Sequence, residues 1–401
     1  MHPVHASITV SVGCMVAGTS VVALRADRVL LAEGFVPGIN VLVENGFVTE
    51  VCPDSRRPHN ASVLTLEGDL VPGFIDLQVN GGDGVLFNDH PDVEGVRRIA
   101  AAHRRFGTTG LLPTVISDDL TVVAEAIRAT DAAIEAGVPG VLGRHIEGPF
   151  INVGKRGIHA ADKIQMLSDR GLELLGAARF GRTLVTLAPE QVPVGTIREL
   201  VRRGVIVAAG HTQASYAQLE AAREEGLSGF THVFNAMSPL GSREPGAVGA
   251  AADFDECWAS VIADGEHVHA AALRWMLKAK GPRRVVLVTD AMPPVGTSPP
   301  SRTLQSFTLH GTPIEVVGGR CTGPQGTLAG SMLDMASAVQ RASALMRVER
   351  EVAVRMASTT PAAVLGLEHE RGHIAAGYRA DLVLLSPEGE VRGVWVAGET
   401  G

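Results

Sequence analysis

Short apolar runs and amphipathic stretches take turns along most of the chain. Residues 73–79, 109–115, 140–146, 183–187, 205–209, 229–231, 258–263 and 284–289 are apolar runs of strand length. Between most of them the apolar positions recur at helical spacing, as in residues 93–106, 120–136, 214–225 and 269–280. This α/β alternation of eight strand–helix units predicts a closed (β/α)8 barrel of the TIM type. A doubly wound open sheet is the alternative, but no glycine-rich GxGxxG turn follows any of the runs.

The flanks have a different texture. Residues 21–71 are rich in aliphatic and β-branched positions and contain an Asn45-Gly46 hairpin signal; residues 372–398 repeat short strands and turns without a helix. Two β-rich pieces at opposite ends most simply form one small β-sandwich domain, built from residues 21–71 and 371–401, with the barrel of residues 72–370 inserted between them. Residues 291–326 read as an irregular, proline- and glycine-rich insert with some strand character. Residues 331–347 and 352–365 read as two further helices, and residues 1–20 as a flexible extension.

Composition narrows the class. The chain of 401 residues is 45% hydrophobic and 19% charged, with 46 glycines, a soluble globular profile. A net charge of -8 without a basic cluster excludes an electrostatic footprint for nucleic acid or an anionic membrane, so an anionic substrate must be met by a few local cations. No stretch reaches the roughly 18 apolar residues of a membrane span. Cys14, Cys52, Cys257 and Cys321 are far apart and without a CxxC pair, which predicts free thiols and a cytoplasmic location.

Polar residues gather where the apolar runs end. The segment 205–236 shows the pattern most clearly: strand, helix and strand, with His211 at the tail of the first strand and His232 at the tail of the second. In a parallel βαβ unit both tails face the same end of the sheet, which brings two imidazoles to one edge. Glu147 ends the third run, so Glu147, His211 and His232 form a His₂Glu set, a ligand combination of catalytic zinc sites that keep an open position for water. Asp290 follows the eighth run and is placed to exchange a proton with such a water. His159 and His267, in the loops after the third and seventh strands, are candidate donors to an oxyanion or a substrate hydroxyl. Arg243, in the loop SPLGSREPG, offers a planar fork for phosphate or carboxylate.

The ordered motifs HIEGPFINVGKRGIH, GHT with THVFNAMSPLGSREPG, ADGEHV, LVTDAMPP and TLAGS resemble the N-acetylglucosamine-6-phosphate deacetylase family of the amidohydrolase superfamily, from about residue 21 to residue 398. The resemblance implies hydrolysis of the acetamide of N-acetylglucosamine 6-phosphate to glucosamine 6-phosphate and acetate. It implies Glu147, His211 and His232 as metal ligands, Asp290 as catalytic acid/base, and His159 as the group polarising the acetyl carbonyl. Gln78, Asn80, Ile158, Asn235, Ala236, Arg243, His267, Leu328, Ala329 and Gly330 are implied as substrate contacts, with Arg243 the phosphate partner, near or across the interface of a homodimer. Where many amidohydrolases carry His-x-His after the first strand, this chain reads Gln78-Val79-Asn80. Amides are poor ligands for a divalent transition ion, so one metal is expected, zinc by default, with iron(II) or another divalent ion compatible with the same set. The nearest rival is a deacetylase of the galactosamine epimer. Other single-metal amidohydrolases and an inactive barrel scaffold are the remaining alternatives.

Overall fold

The computed structural model describes residues 21–297 and 304–400; the extension expected over residues 1–20 lies outside the described residues. Eight parallel strands form the central sheet: β1 (Phe74–Val79), β2 (Thr108–Ile116), β3 (Gly143–Glu147), β4 (Arg182–Leu187), β5 (Ile206–Ala209), β6 (Gly229–Phe230), β7 (Trp258–Ile262) and β8 (Val285–Val288), paired in chain order. These strands are buried almost throughout, as expected when helices cover the outside of a parallel sheet. In β6 a side chain at Gly229 would lie 2.1 Å from the indole of Trp258, so a glycine there is what lets Trp258 pack.

The ring closes between β8 and β1 by sparse contacts. Val79 bridges Ala291, the Asp290 amide donates to the Gln78 carbonyl at 3.0 Å, and the Asn80 amide donates to the Ala291 carbonyl at 2.9 Å. Asp76 stitches the same seam from inside. Its Oδ1 accepts from the amides of Gln78 and Thr289, and its Oδ2 accepts the Thr289 hydroxyl at 2.5 Å. Burial raises the Asp76 carboxyl to about 7 against these hydrogen bonds.

Helices alternate with the strands as the periodicity predicts. Tyr216–Glu224, between β5 and β6, starts at a capping box in which Ser215 and Gln218 satisfy each other's backbone amides. The expected helix over residues 352–365 is instead two, Arg350–Ala357 and Thr359–Val364, broken at Ser358. Pro361 supplies the reason, since it has no amide to donate back to a carbonyl of the preceding turn.

Both ends of the chain contribute to a separate eight-stranded sheet, in which Ser62–Pro72 pairs in parallel with Val22–Leu31 and antiparallel with Leu382–Leu385. Leu24, Val29, Val41, Leu70, Leu382 and Trp395 fill one of its faces. The segment read as an irregular insert is more regular than expected. It holds three strands, Ser306–Leu309, Thr312–Val317 and Arg320–Thr322, which Leu328–Ser331, just beyond its expected end, completes into a four-stranded antiparallel sheet. Its first two connections are His310-Gly311 and Gly318-Gly319, all four residues at positive φ, as two-residue hairpins require. The last strand reaches β8: the Ser331 amide donates to the Asp290 carbonyl at 2.9 Å. Among the described residues no helix is long and apolar enough to cross a membrane, and Cys52, Cys257 and Cys321 are buried free thiols.

Candidate active site

The C-terminal ends of the barrel strands surround a cavity of ≈ 190 Å³, sized for one small molecule. Glu147, the last residue of β3, meets His211 and His232, which follow β5 and β6. His211 Nε2 lies 3.0 Å and His232 Nε2 2.9 Å from Glu147 Oε1, and the two ring nitrogens are 3.1 Å apart. All three side chains are buried. His211 and His232 both have positive φ, as does Asp290, so three of the four polar groups sit on backbone that side chains other than glycine adopt rarely.

The donor set fits a cation. His211 Nδ1 is 2.8 Å from the carbonyl oxygen of Lys155, a group that only accepts, so Nδ1 carries the proton and Nε2 presents its lone pair. That lone pair faces a carboxylate oxygen at hydrogen-bond distance, an arrangement that is repulsive unless a positive charge lies between them. Among the described residues Glu147, His211 and His232 are the one such group of potential ligands.

Asp290 stands on the same cavity. Asn80 Nδ2 donates to its Oδ1 at 2.6 Å and Gln78 Nε2 donates to the same oxygen at 3.2 Å; no hydrogen bond within the described residues engages Oδ2. Burial first, then the charge of Glu147, raise Asp290 to about 6. The two amides thus occupy the position where His-x-His was absent and hold one edge of the carboxylate.

His159 lines the cavity beside His211, with ring centroids 4.4 Å apart. Its Nδ1 is turned away, to the hydroxyl of Ser117 at 2.8 Å and the amide of Ser117 at 3.4 Å. Burial, then the neighbouring His211, push His159 well below the ordinary histidine value, so its ring is neutral. His267 is oriented by Asp264, whose Oδ2 is 2.6 Å from Nδ1. Asn80, Ile158, Asn235, Ala236, Leu328 and Gly330 also line the cavity.

Three expected contacts are placed elsewhere. Gln78 lies behind Asp290, Ala329 is buried within the strand Leu328–Ser331 against Leu309, Ile314 and Cys321, and Arg243 is exposed on its loop, away from the cavity wall. Among the described residues that line the cavity none is lysine or arginine.

The strand-tail pattern also applies to residues that sequence reasoning left without a role. Ser117 follows β2 directly, and the same position-based signal points to it. Glu190, after β4, braces the His211 loop by accepting from Asn152 Nδ2, Thr212 Oγ1 and the Gln213 amide. Ile116, Ile262, Met292 and Leu309 complete the apolar lining, and nothing local marks them.

Residues 70–401 match the model of the Amidohydrolase family. An N-acetylgalactosamine-6-phosphate deacetylase from Shewanella sp. (strain ANA-3) is 43% identical over 369 residues, covering 92% of this chain and 90% of that protein. An N-acetylglucosamine-6-phosphate deacetylase from Haemophilus influenzae is 31% identical over 361 residues, 90% of this chain and 93% of that one. Among solved structures, N-acetylglucosamine-6-phosphate deacetylase from Pasteurella multocida superposes with a TM-score of 0.90 at 31% identity, over 95% of this chain and 99% of that chain.

Proposed function

Since this chain belongs to the amidohydrolase family, we propose that it hydrolyses the acetamide of N-acetylglucosamine 6-phosphate to glucosamine 6-phosphate and acetate. One observation carries the reading: Glu147, His211, His232 and Asp290, drawn from four strand tails, meet in a single cavity of a chain similar to such deacetylases over almost its whole length.

The family implies a divalent metal, and Glu147, His211 and His232 would hold it. Two imidazoles and a carboxylate suit zinc, and iron(II) or another divalent ion is compatible with them. A metal bound there makes water acidic enough to ionise near neutral pH and draws charge from a carbonyl oxygen. The chain's own residues supply the rest. Asp290, held through Oδ1, has Oδ2 to take the proton of the attacking water and return it to the amine nitrogen as the C–N bond breaks. His159 donates from Nε2 to the acetyl oxygen as negative charge builds there. His267, Asn235 and the backbone at Ala236, Leu328 and Gly330 bound the space for the sugar.

We assign the phosphate to Arg243 of a second copy in a homodimer. Supporting this, the cavity wall lacks a cationic side chain of its own among the described residues, and Arg243 has no ion pair among them. The loop of Arg243 also adjoins an apolar surface where Leu240 is 51% and Trp275 39% exposed, the kind of patch that marks an interface. The buried free thiols support a reducing, cytoplasmic compartment.

The galactosamine epimer is a second reading, favoured by the 43% identity to the Shewanella deacetylase. Acetate release by the zinc-loaded enzyme from each phosphorylated epimer tests both. A higher kcat/KM for the glucosamine series supports the main reading and the reverse order the second; no acetate from either overturns both.

A further inference from the structure

The unexplained element is Ser117. It is fully buried at the tail of β2, it contributes nothing to the cation site, and both of its polar groups meet one atom: the amide donates to Nδ1 of His159 at 3.4 Å, and Oγ lies 2.8 Å from the same nitrogen. A backbone amide can only donate. A ring nitrogen that accepts a hydrogen bond from an amide carries no proton itself, so in a neutral imidazole the single proton sits on Nε2. His159 Nε2 has no protein partner among the described residues, while the ring lines the cavity. We propose that Ser117 is the positioning residue that fixes the tautomer of His159, making Nε2 a hydrogen-bond donor aimed at the acyl oxygen of the substrate.

Two features hold Ser117 in that pose. Asn88 clamps the residue before it, accepting from the Ile116 amide at 3.0 Å and donating to the Ile116 carbonyl at 3.1 Å. The same Asn88 donates to Asp118, the residue after it, at 2.9 Å, and His310 of the insert's first hairpin lies 2.9 Å from the same carboxylate oxygen. Across from the hydroxyl stands Gly148, at φ +85°, where an added Cβ would be 2.2 Å from Ser117 Oγ. A side chain at 148 would take the place of the hydroxyl, so the glycine next to Glu147 serves the histidine as well as the turn. The opposite tautomer would set a lone pair of Nε2 against the carbonyl oxygen and turn an attraction into a repulsion.

The role in catalysis rests on the deacetylase reading, whereas the tautomer itself does not, and the test separates them. In zinc-loaded protein with ¹⁵N-labelled histidine rings, two-bond ¹⁵N–¹H spectra, with His159 assigned by its loss in His159→Ala, are expected to show a proton on Nε2 and a bare Nδ1. A proton on Nδ1 overturns the proposal without any variant of Ser117. For catalysis, Ser117→Ala keeps the amide and loses the hydroxyl, and kcat is expected to fall about tenfold with little change in KM. In a His159→Ala background the same substitution is expected to have no further effect, because Ser117 acts through that ring. An equal loss in both backgrounds, or no loss in either, overturns the positioning role. Wild-type protein that releases no acetate yet shows the Nε2 tautomer would condemn the deacetylase reading and the catalytic role together, leaving the tautomer assignment standing.

Discussion

Nδ2 of Asn80 donates to Oδ1 of Asp290 at 2.6 Å, joining the tails of the first and eighth barrel strands across 210 positions of sequence. The contact lies at the seam, where the ring is closed by few backbone hydrogen bonds. It therefore sets the carboxylate's orientation as well as the join. Replacing Asn80 by Ala frees that edge of Asp290, and kcat is expected to fall between about 10- and 100-fold. Metal content is expected to stay constant, because Asn80 touches none of the three ligands. Kinetics alongside elemental analysis checks both; a loss of metal would place Asn80 in the cation site instead.

Asp290→Asn keeps the shape and removes the proton acceptor. Turnover is expected to drop about 10³-fold or more while the purified protein still carries metal. Residual activity within tenfold of wild type would move the acid/base role to another group.

Arg243→Ala is expected to raise KM for phosphorylated substrates and to leave kcat for a non-phosphorylated N-acetyl sugar unchanged. If the preference for the phosphorylated sugar persists in the variant, the phosphate is held elsewhere. Sedimentation of the same protein reports whether the loop's surroundings form a dimer.

Asp76 makes a prediction about stability. Burial raises its carboxyl from 3.8 to about 7. A carboxyl raised on folding stabilises the native state below its unfolded pKa, and that contribution is lost as pH rises through the folded one. The window therefore runs from about pH 4 to about pH 7, with a total of at most about 4 kcal/mol. Asp76→Asn is expected to preserve the seam, since Oδ1 still accepts the Gln78 and Thr289 amides and Nδ2 donates to the Thr289 hydroxyl. Melting temperatures of variant minus wild type should thus increase from pH 4 to pH 7. A difference that does not vary with pH would mean that Asp76 is ionised throughout that range.

Much of this architecture was legible because the information is local. A strand's period of two, a helix's period of 3.6 and the βα alternation are each contained in a few neighbouring residues, and together they demand a parallel sheet covered by helices. Parallel strands share one direction, so polar residues at their tails share one end. This is why Glu147, His211, His232 and Asp290 were readable as neighbours from positions spread over 144 residues, from 147 to 290. The insert is less legible because its strands are short and separated by turns at Gly311 and at Gly318 and Gly319. The positive φ at those glycines, which looks like irregularity in a sequence, is what closes the hairpins.

What the chain's order of residues determined by itself was the barrel, the terminal β sheet and the kinds of side chain at the strand tails. What the tertiary structure alone decided was how those side chains are aimed: which oxygen of Asp290 the amides hold, which nitrogen of His159 meets Ser117, and that Arg243 faces outward. The reason is physical. Secondary structure follows from contacts a few positions apart, whereas a hydrogen bond that selects one atom of a side chain depends on a partner 42 or 210 positions away, brought within 3 Å only when the strands assemble into the sheet.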